Sequence, residues 1–301
     1  MSKLIRIGTR DSQLALWQAE TVQNMLETQG HQTQLVPVKS DGDLNLSQPL
    51  YELGITGIFT KTLDIALVNG SIDIAVHSMK DVPTLLPKGV VQAAVLKRAD
   101  VQDVLIPGPD SASNIIATGS LRRKAQWLNR YPQDTITGLR GNVNTRLRKL
   151  GESNWKGAIF AKAGLQRIDL LPENHRVLDW MIPAPAQGAM TIAAMQTNTE
   201  ALKACAALND VPTAKCTWVE RDFLRELEGG CTAPIGALAQ IEGDVINLSG
   251  VLLSLDGKQA LEVKQSVKTE AYLGFGALCA REILANGGAQ LMQSIKKQMK
   301  P

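Results

Sequence analysis

The segment Ile72-Asp73-Ile74-Ala75-Val76 is followed directly by His77-Ser78-Met79-Lys80-Asp81, and it indicates the class of fold. The first five residues are mostly apolar, which predicts a buried strand. A helix pattern over residues 59–68 comes before it, and Asn69-Gly70 ends that pattern. Because a helix that leads into a buried strand is typical of a parallel sheet covered by helices, the chain is predicted to be an α/β protein.

Strand and helix patterns alternate on both sides of this stretch. Strands are predicted at residues 4–8 and 35–38 before it, with a helix pattern through Leu14, Trp17 and Val22 between them. The alternation restarts after about residue 100, which predicts a second α/β domain. The last part differs, since residues 245–255 and 260–267 are β-rich around the hairpin signal Asp256-Gly257, and a helix pattern follows over 271–286. This end of the chain is predicted to be a small α+β domain.

Composition excludes several classes of protein. The 301 residues contain 32 Lys+Arg and 29 Asp+Glu, a net charge of +3, and only 4% are aromatic. A dedicated nucleic-acid binder would be more basic, and base-stacking surfaces need more aromatic residues. No apolar run approaches the ~20 residues that cross a bilayer. Since the first residues also lack a signal-peptide pattern, we expect a cytoplasmic protein.

Polar residues follow four of the predicted strands, in segments 9–12, 77–81, 118–123 and 140–146. In open α/β sheets, ligands bind beyond the carboxyl ends of the strands, where helix N-termini also point. These segments contain five arginines, namely Arg10, Arg122, Arg123, Arg140 and Arg146. Any one arginine is more often a solvated surface residue. Five at equivalent positions favour an anionic ligand with many carboxylates, because a single phosphate needs fewer cations.

Two further residues stand out, and the residues alone leave two interpretations of each. Asp81 is a carboxylate among these cations, so it either balances charge or stabilises a developing cation and moves protons. Cys231 follows Gly229-Gly230, which suggests an exposed loop. A cysteine in a polar loop is a candidate nucleophile or attachment point, although a structural thiol is slightly favoured. The other cysteines, Cys205, Cys216 and Cys279, lie in helix-like stretches and are interpreted as packing residues.

Four segments together resemble the porphobilinogen deaminase family, also called the hydroxymethylbilane synthases. They are Val76-His77-Ser78-Met79-Lys80-Asp81-Val82-Pro83, Ser120-Leu121-Arg122-Arg123, Leu139-Arg140-Gly141-Asn142-Val143 with Thr145-Arg146, and Leu227-Glu228-Gly229-Gly230-Cys231. Their order and approximate spacing agree with the family from end to end. The resemblance therefore covers nearly the whole chain.

The resemblance implies three domains: residues 1–97 with 189–210, residues 98–188, and residues 211–301. The first two would be α/β domains like the halves of a type II periplasmic binding protein, with a cleft between them. The third, a small α+β domain, would carry the cofactor-attachment loop. Family enzymes join four porphobilinogen molecules head to tail, release an ammonia at each addition, and then release hydroxymethylbilane by hydrolysis. They need no metal, and they are primed by dipyrromethane, two linked pyrroles held by a thioether bond.

Carried onto this sequence, the resemblance assigns roles to individual residues. Asp81 would be the catalytic carboxylate, and Cys231 would hold one dipyrromethane. The residues expected to bind the cofactor are Ser78, Lys80, Asp81, Thr118, Ser120, Arg122, Arg123, Arg140, Gly141, Arg146 and Gln187. Those expected to bind substrate are Arg10, Ser12, Arg140, Arg146 and Gln187. The expected partner is porphobilinogen, with neither nucleic acid nor membrane, and the chain is expected to be a monomer.

The chain departs from the family pattern at four places, one of which is the stretch 188–194 after Gln187, which lacks the acidic residue often found there. Thr56 and Glu52 stand where lysines often occur, and Gly119 replaces a common serine. Since Asp81, Cys231 and the five arginines are all in place, an active enzyme is favoured. A non-catalytic solute-binding protein would explain the strand-end cations, but it would not explain a third domain with a cysteine loop. A phosphate-cradling enzyme is disfavoured, because neither G-x-x-x-x-G-K-[ST] nor a convincing G-x-G-x-x-G is present.

Overall fold

The computed structural model describes residues 4–38, 60–110, 112–227 and 233–299. Three positions singled out from the sequence, Glu52, Thr56 and Cys231, lie outside these ranges. The described residues form two compact units, one from 4–38, 60–99 and 188–214, and the other from 100–187 and 215–299. The division into three domains stays a prediction. Among the described residues, none of the helices combines the length and the apolar character that crossing a membrane requires.

In chain order the strands and helices are β1 (Ile5–Thr9), α1 (Gln13–Thr28), β2 (Thr33–Pro37), α2 (Lys61–Val68), β3 (Ile74–Ser78), β4 (Val90–Val95), β5 (Asp103–Pro107), β6 (Ile115–Ala117), α3 (Leu121–Arg130), β7 (Thr135–Thr137), α4 (Val143–Gly151), β8 (Gly157–Ala161), α5 (Lys162–Gln166), β9 (Arg176–Val177), β10 (Met190–Met195), α6 (Thr199–Ala206), α7 (Val211–Glu226), β11 (Ile235–Glu242), β12 (Val245–Leu253), β13 (Ala260–Lys268), α8 (Phe275–Ile283) and α9 (Ala289–Gln298).

The first unit is built on a five-stranded sheet in the order β2-β1-β3-β10-β4. Strand β1 is parallel to β2 and β3, and β10 is antiparallel to β3 and β4. Ile74 and Ala75 of β3 are fully buried, since apolar side chains cover both faces of the sheet. The predictions of a buried strand here and of a helix before it are confirmed. The proline-containing strand β2 lies at the sheet edge, where Pro37 costs no ladder hydrogen bond.

The second unit contains a sheet of the same design, in the order β7-β6-β8-β5-β9. Strand β6 is parallel to β7 and β8, while β5 is antiparallel to β8 and β9. Each sheet contains three parallel strands, with β1 in the middle of the first set and β6 in the middle of the second. An antiparallel strand, β10 or β5, connects the three parallel strands to the last strand of the sheet. The three parallel strands of each sheet have their carboxyl ends on the same side of the sheet. This arrangement gathers the polar segments that follow them.

The C-terminal part of the second unit is a three-stranded antiparallel sheet, β11-β12-β13, with helices packed on it. Its own core includes Val219 and Phe223 of α7, Leu248 of β12 and Cys279 of α8. The predicted α/β fold with a smaller α+β part is therefore confirmed. The helix predicted over 271–286 corresponds to α8, which begins at Phe275 and ends at Ile283. The chain then kinks through Gly287, whose φ of 101° is left-handed, before α9 begins.

The turn between β12 and β13 packs tightly on α3. Gly257 has φ +74°, and a Cβ built on it would lie 2.5 Å from the Ala125 carbonyl oxygen. Asn129 Nδ2 donates a 2.7 Å hydrogen bond to the Gly257 carbonyl oxygen. Ala125 also packs against Val251 and Leu253 of β12. The contact therefore joins the C-terminal sheet to the helix that carries Arg122 and Arg123.

Gly257→Ala is expected to destabilise the protein. Left-handed backbone costs a non-glycine residue about 1–2 kcal/mol, and the overlap with α3 adds about 1–3 kcal/mol. Gly243→Ala is the matched control, since Gly243 also has a positive φ in a hairpin of the same sheet but nothing lies within 4 Å of its Cβ position. Denaturant unfolding measures both free energies. If both variants lost the same free energy of unfolding, the contact of Gly257 with α3 would contribute nothing to stability.

Candidate active site

An open pocket lies in the first unit, at the carboxyl ends of β1 and β3. Its polar lining includes Arg10, Ser12, Gln18, Thr60, His77, Ser78 and Asp81. Ser12 caps α1, since its hydroxyl oxygen accepts a hydrogen bond from Ala15 N at 3.4 Å, and Thr9 Oγ1 donates to the Ala15 carbonyl oxygen at 2.9 Å. These bonds fix the turn between β1 and α1, which carries Arg10.

Asp81 reaches the pocket from a single 3-10 turn, Met79–Asp81, directly after β3. The turn is anchored by Met79, which is 2% exposed and whose N–H donates to the Ala189 carbonyl oxygen at 3.0 Å. Ser78 accepts a 2.8 Å hydrogen bond from Gln18 Nε2. Among the described residues that line the pocket, only Asp81 bears a carboxylate. Its charge therefore faces a lining of cationic and neutral polar groups.

His77 lines the pocket as a neutral group. Burial lowers the pKa of its imidazole to about 4, and the positive charge of Arg10 acts in the same direction. At neutral pH the ring therefore carries no charge. Asp81 and Arg10 remain the charged side chains of the pocket lining.

The second unit gathers another polar group around the start of α3. Ser120 caps α3, accepting from Arg123 N at 3.5 Å, and Thr118 Oγ1 accepts from Ser120 N at 3.2 Å. A serine at position 119 would need the loop to shift, because a Cβ on Gly119 would lie 2.6 Å from the Leu139 carbonyl oxygen. The N-terminus of α3, with its Ser120 cap, is therefore a place where an anion is favoured, at the carboxyl end of β6.

Arg122, Arg123 and Gln187 meet at one buried carboxylate, that of Asp103. Arg123 Nη2 lies 2.7 Å and Gln187 Nε2 2.9 Å from Asp103 Oδ1, and Arg122 Nη2 lies 2.8 Å from Oδ2. The arginines are only 4% and 6% exposed. Burial lowers the pKa of Arg122, and the charge of Asp103 opposes that effect. The arginine pair is therefore part of the protein interior, not a pair of surface charges.

Arg140, Gly141 and Arg146 surround the start of α4. Asn142 caps this helix through Thr145 N at 2.9 Å. Gly141 has φ +115°, and its carbonyl oxygen accepts from Arg146 Nε at 2.7 Å. Partial burial lowers the pKa of Arg140. The two guanidinium groups are half-buried, so they are the more accessible cations of this unit's predicted set.

The predicted site residues thus fall into two groups, one in each unit. Arg10, Ser12, Ser78 and Asp81 share the pocket of the first unit, and Lys80 lies on the same turn as Asp81. Those of the second unit lie at the starts of α3 and α4, with Gln187 joined to α3 through Asp103.

Comparison with known proteins decides the family. A family model described as "Porphobilinogen deaminase, dipyromethane cofactor binding domain" matches residues 5–203, and one described as "Porphobilinogen deaminase, C-terminal domain" matches residues 214–285. The chain belongs to the porphobilinogen deaminase family. Porphobilinogen deaminases of Campylobacter hominis and Syntrophotalea carbinolica are 38% and 39% identical to it, covering 97% and 98% of this chain and 98% and 96% of the relatives.

Solved structures outside the family share less with the chain. The periplasmic VFT2 domain of Bordetella pertussis BvgS covers 68% of this chain and 86% of its own, with a TM-score of 0.42 and 11% identity. Membership of the porphobilinogen deaminase family therefore rests on the sequence matches.

The residues present fit the dipyrromethane cofactor that the first family model names. Dipyrromethane bears acetate and propionate groups on two pyrrole rings with N–H donors. Arginine guanidiniums and helix N-termini are groups that bind carboxylates. Among the described residues that line the pocket of the first unit, Asp81 bears the carboxylate, and a carboxylate is an acceptor for N–H donors. The arginines and helix N-termini therefore match the carboxylates of dipyrromethane, and the Asp81 carboxylate matches its pyrrole N–H groups.

The structure adds Asp103 to the residues that sequence analysis named, because its carboxylate contacts Arg122, Arg123 and Gln187. Arg167 follows α5, and burial lowers its pKa to about 10.

Proposed function

We propose that this chain catalyses the porphobilinogen deaminase reaction of tetrapyrrole and heme biosynthesis as a transferase of the hydroxymethylbilane synthase type. It joins four porphobilinogen molecules head to tail, with loss of one ammonia at each addition, and then releases hydroxymethylbilane by hydrolysis. The supporting observation is the pocket whose lining contains both the Asp81 carboxylate and Arg10. The substrate is porphobilinogen, no nucleic acid takes part, and the chain acts as a cytoplasmic monomer.

Dipyrromethane would be the primer, held by Cys231 through a thioether bond. It would supply the free pyrrole carbon to which the first substrate unit is joined, and each later unit would join the end of the growing chain. This assignment is supported by the family model over residues 5–203 and by the Gly229-Gly230-Cys231 sequence. Cys205, Cys216 and Cys279 are buried free thiols, so they are poor attachment points.

Asp81 supplies the negative charge that the reaction needs. Loss of ammonia from porphobilinogen leaves a cationic methylene-pyrrole, which an adjacent carboxylate stabilises. The same carboxylate accepts a hydrogen bond from the pyrrole N–H and assists proton transfer during ammonia loss. The 3-10 turn anchored by Met79 keeps this group in place, so little reorganisation accompanies the reaction.

The cations and hydroxyls bind the carboxylates of substrate and cofactor. Arg10 and Ser12 act from the first unit, and Arg140 and Arg146 from the second. Ser78, Lys80, Thr118, Ser120 and Gly141 add hydrogen bonds or charge for the cofactor, as do Arg122, Arg123 and Gln187. Each added pyrrole brings two carboxylates, which accounts for the number of arginines.

The proposed function is tested by the intact mass of the purified protein, measured before and after incubation with porphobilinogen. The expected increase over the chain mass is two porphobilinogen molecules less two ammonia molecules. Further incubation should release hydroxymethylbilane and ammonia. Porphobilinogen that binds without any covalent adduct or ammonia would instead indicate a binding protein, and the proposal would be withdrawn.

A further inference from the structure

Asp103 lies at the start of β5 and is completely buried. Its carboxylate contacts three side chains that come from distant parts of the chain, Arg122, Arg123 and Gln187. The two arginines are 19 and 20 positions away, and Gln187 is 84 positions away. A single buried carboxylate is therefore the shared acceptor for three residues expected to serve the ligand.

Backbone carbonyl groups complete the orientation of these side chains. Arg122 Nη1 donates to the Ile182 carbonyl oxygen at 2.7 Å, and Arg123 Nη1 to that of Ile159 at 3.0 Å. Gln187 Nε2 donates to the Val101 carbonyl oxygen at 2.8 Å as well as to Asp103. Each side chain is thus held at two or more points, which leaves it little rotational freedom.

The charges in this cluster do not cancel. Two guanidiniums and one carboxylate leave a net charge of +1 beside the capped N-terminus of α3, where Ser120 accepts from Arg123 N. A helix N-terminus adds further positive potential at the same place. Arg122 Nε is also a buried donor with no hydrogen-bond partner among the described residues. The cluster is therefore a preorganised positive centre.

Stability alone does not account for such a cluster. Buried ion pairs often contribute no more to folding than well-packed apolar residues of similar volume, because the charges lose their hydration. Fixed orientation of charge, in contrast, favours binding, since the ordering cost is met during folding.

We propose that Asp103 is a positioning residue of this enzyme. Its carboxylate holds Arg122, Arg123 and Gln187 in place, so that the positive charge of the two arginines is fixed near the start of α3, where ligand carboxylates bind. The inference rests on the proposed function and deepens it, because it names the group that organises this part of the site. Asp103 touches neither substrate nor cofactor and acts through the three residues that it holds.

The test compares Asp103→Asn with Asp73→Asn. Asp73 is the matched control, because it is also a buried aspartate paired with an arginine: Asp73 Oδ2 lies 2.9 Å from Arg6 Nε. Arg6 has no part in the proposed site. Both variants are titrated with porphobilinogen below their melting temperatures. The covalent adduct is measured by intact mass, and KM and kcat by initial rates.

Asp103→Asn is expected to raise KM about tenfold, with a smaller change in kcat. The porphobilinogen concentration at which half of the protein carries the covalent adduct is expected to rise by a similar factor. A tenfold change corresponds to about 1.4 kcal/mol. Asp73→Asn is expected to stay within twofold of the wild type in both measurements. Equal KM changes in the two variants would overturn the inference and leave Asp103 with a structural role only.

If Asp103→Asn fails to fold, Asp103→Glu provides the test, since it keeps the charge and moves the carboxylate by about one methylene group. A folded Asp103→Glu with raised KM supports positioning, and one with KM within twofold of the wild type contradicts it. Failure of the proposed function is distinguishable, because the wild-type chain would then form neither adduct nor product. If the wild type forms adduct and product normally, and the Asp103 and Asp73 variants show the same change in KM, only the positioning role of Asp103 is contradicted.

Discussion

Asp81→Asn is expected to lower turnover by about 10²–10⁴-fold while the chain folds normally. The amide keeps the shape of the side chain but removes the negative charge that faces the Arg10 side of the pocket. Asp81 is partly exposed on a turn held by Met79, so its replacement costs little folding free energy. Initial rates of ammonia release measure the first effect, and thermal unfolding measures the second.

Asp11→Asn is the control for this prediction. Asp11 follows Arg10 directly and is exposed, and it does not line the pocket. The same change of charge close to the site should therefore leave turnover near that of the wild type. If Asp81→Asn retained normal turnover, Asp81 would be a charge balancer and not the catalytic carboxylate.

Cys231→Ser is expected to carry no covalent adduct under conditions that load the wild type. Thioether formation needs a sulfur nucleophile, which attacks the methylene carbon of porphobilinogen as ammonia leaves. A serine hydroxyl is a much weaker nucleophile at neutral pH. Intact mass after incubation with porphobilinogen measures the loss directly.

The remaining thiols are not expected to substitute for Cys231. Burial raises the pKa of Cys205 to about 12, and burial together with the nearby Glu282 raises that of Cys279 to about 11. Cys216 is 7% exposed. Cys205→Ala is the control and should keep a full adduct. An adduct of the same mass in Cys231→Ser would place the attachment elsewhere.

Much of the fold could be predicted from the sequence because its signals are local. The apolar run at 72–76 predicts β3, and Asp256-Gly257 predicts the β12–β13 hairpin. The helix pattern over 271–286 stops at the kink, where Asn286 and Gly287 leave the helical region, and it does not predict α9 beyond the kink. The short helix α5 is too brief for periodicity to reveal.

The chemistry of the candidate site was less visible than its position. Strand-end reasoning selected Arg122 and Arg123, and the motifs that contain them pointed to the family. Their position after a strand marks Arg122 and Arg123 only as two of five similar cations, although both are buried around Asp103. No local pattern marks Asp103 as their partner, since Arg123 follows it 20 positions later and Gln187 follows it 84 positions later.

Periodicity and short motifs are properties of neighbouring residues, so the order of residues predicts the α/β class, the family, and the candidate roles of Asp81 and Cys231. The convergence of Arg122, Arg123 and Gln187 on one carboxylate, and the packing of Gly257 on α3, are visible only in the folded protein. These contacts join residues up to 128 positions apart, and burial then restricts the freedom of their side chains. Contact and burial arise when the sheets assemble, so they cannot be derived from the order of residues alone.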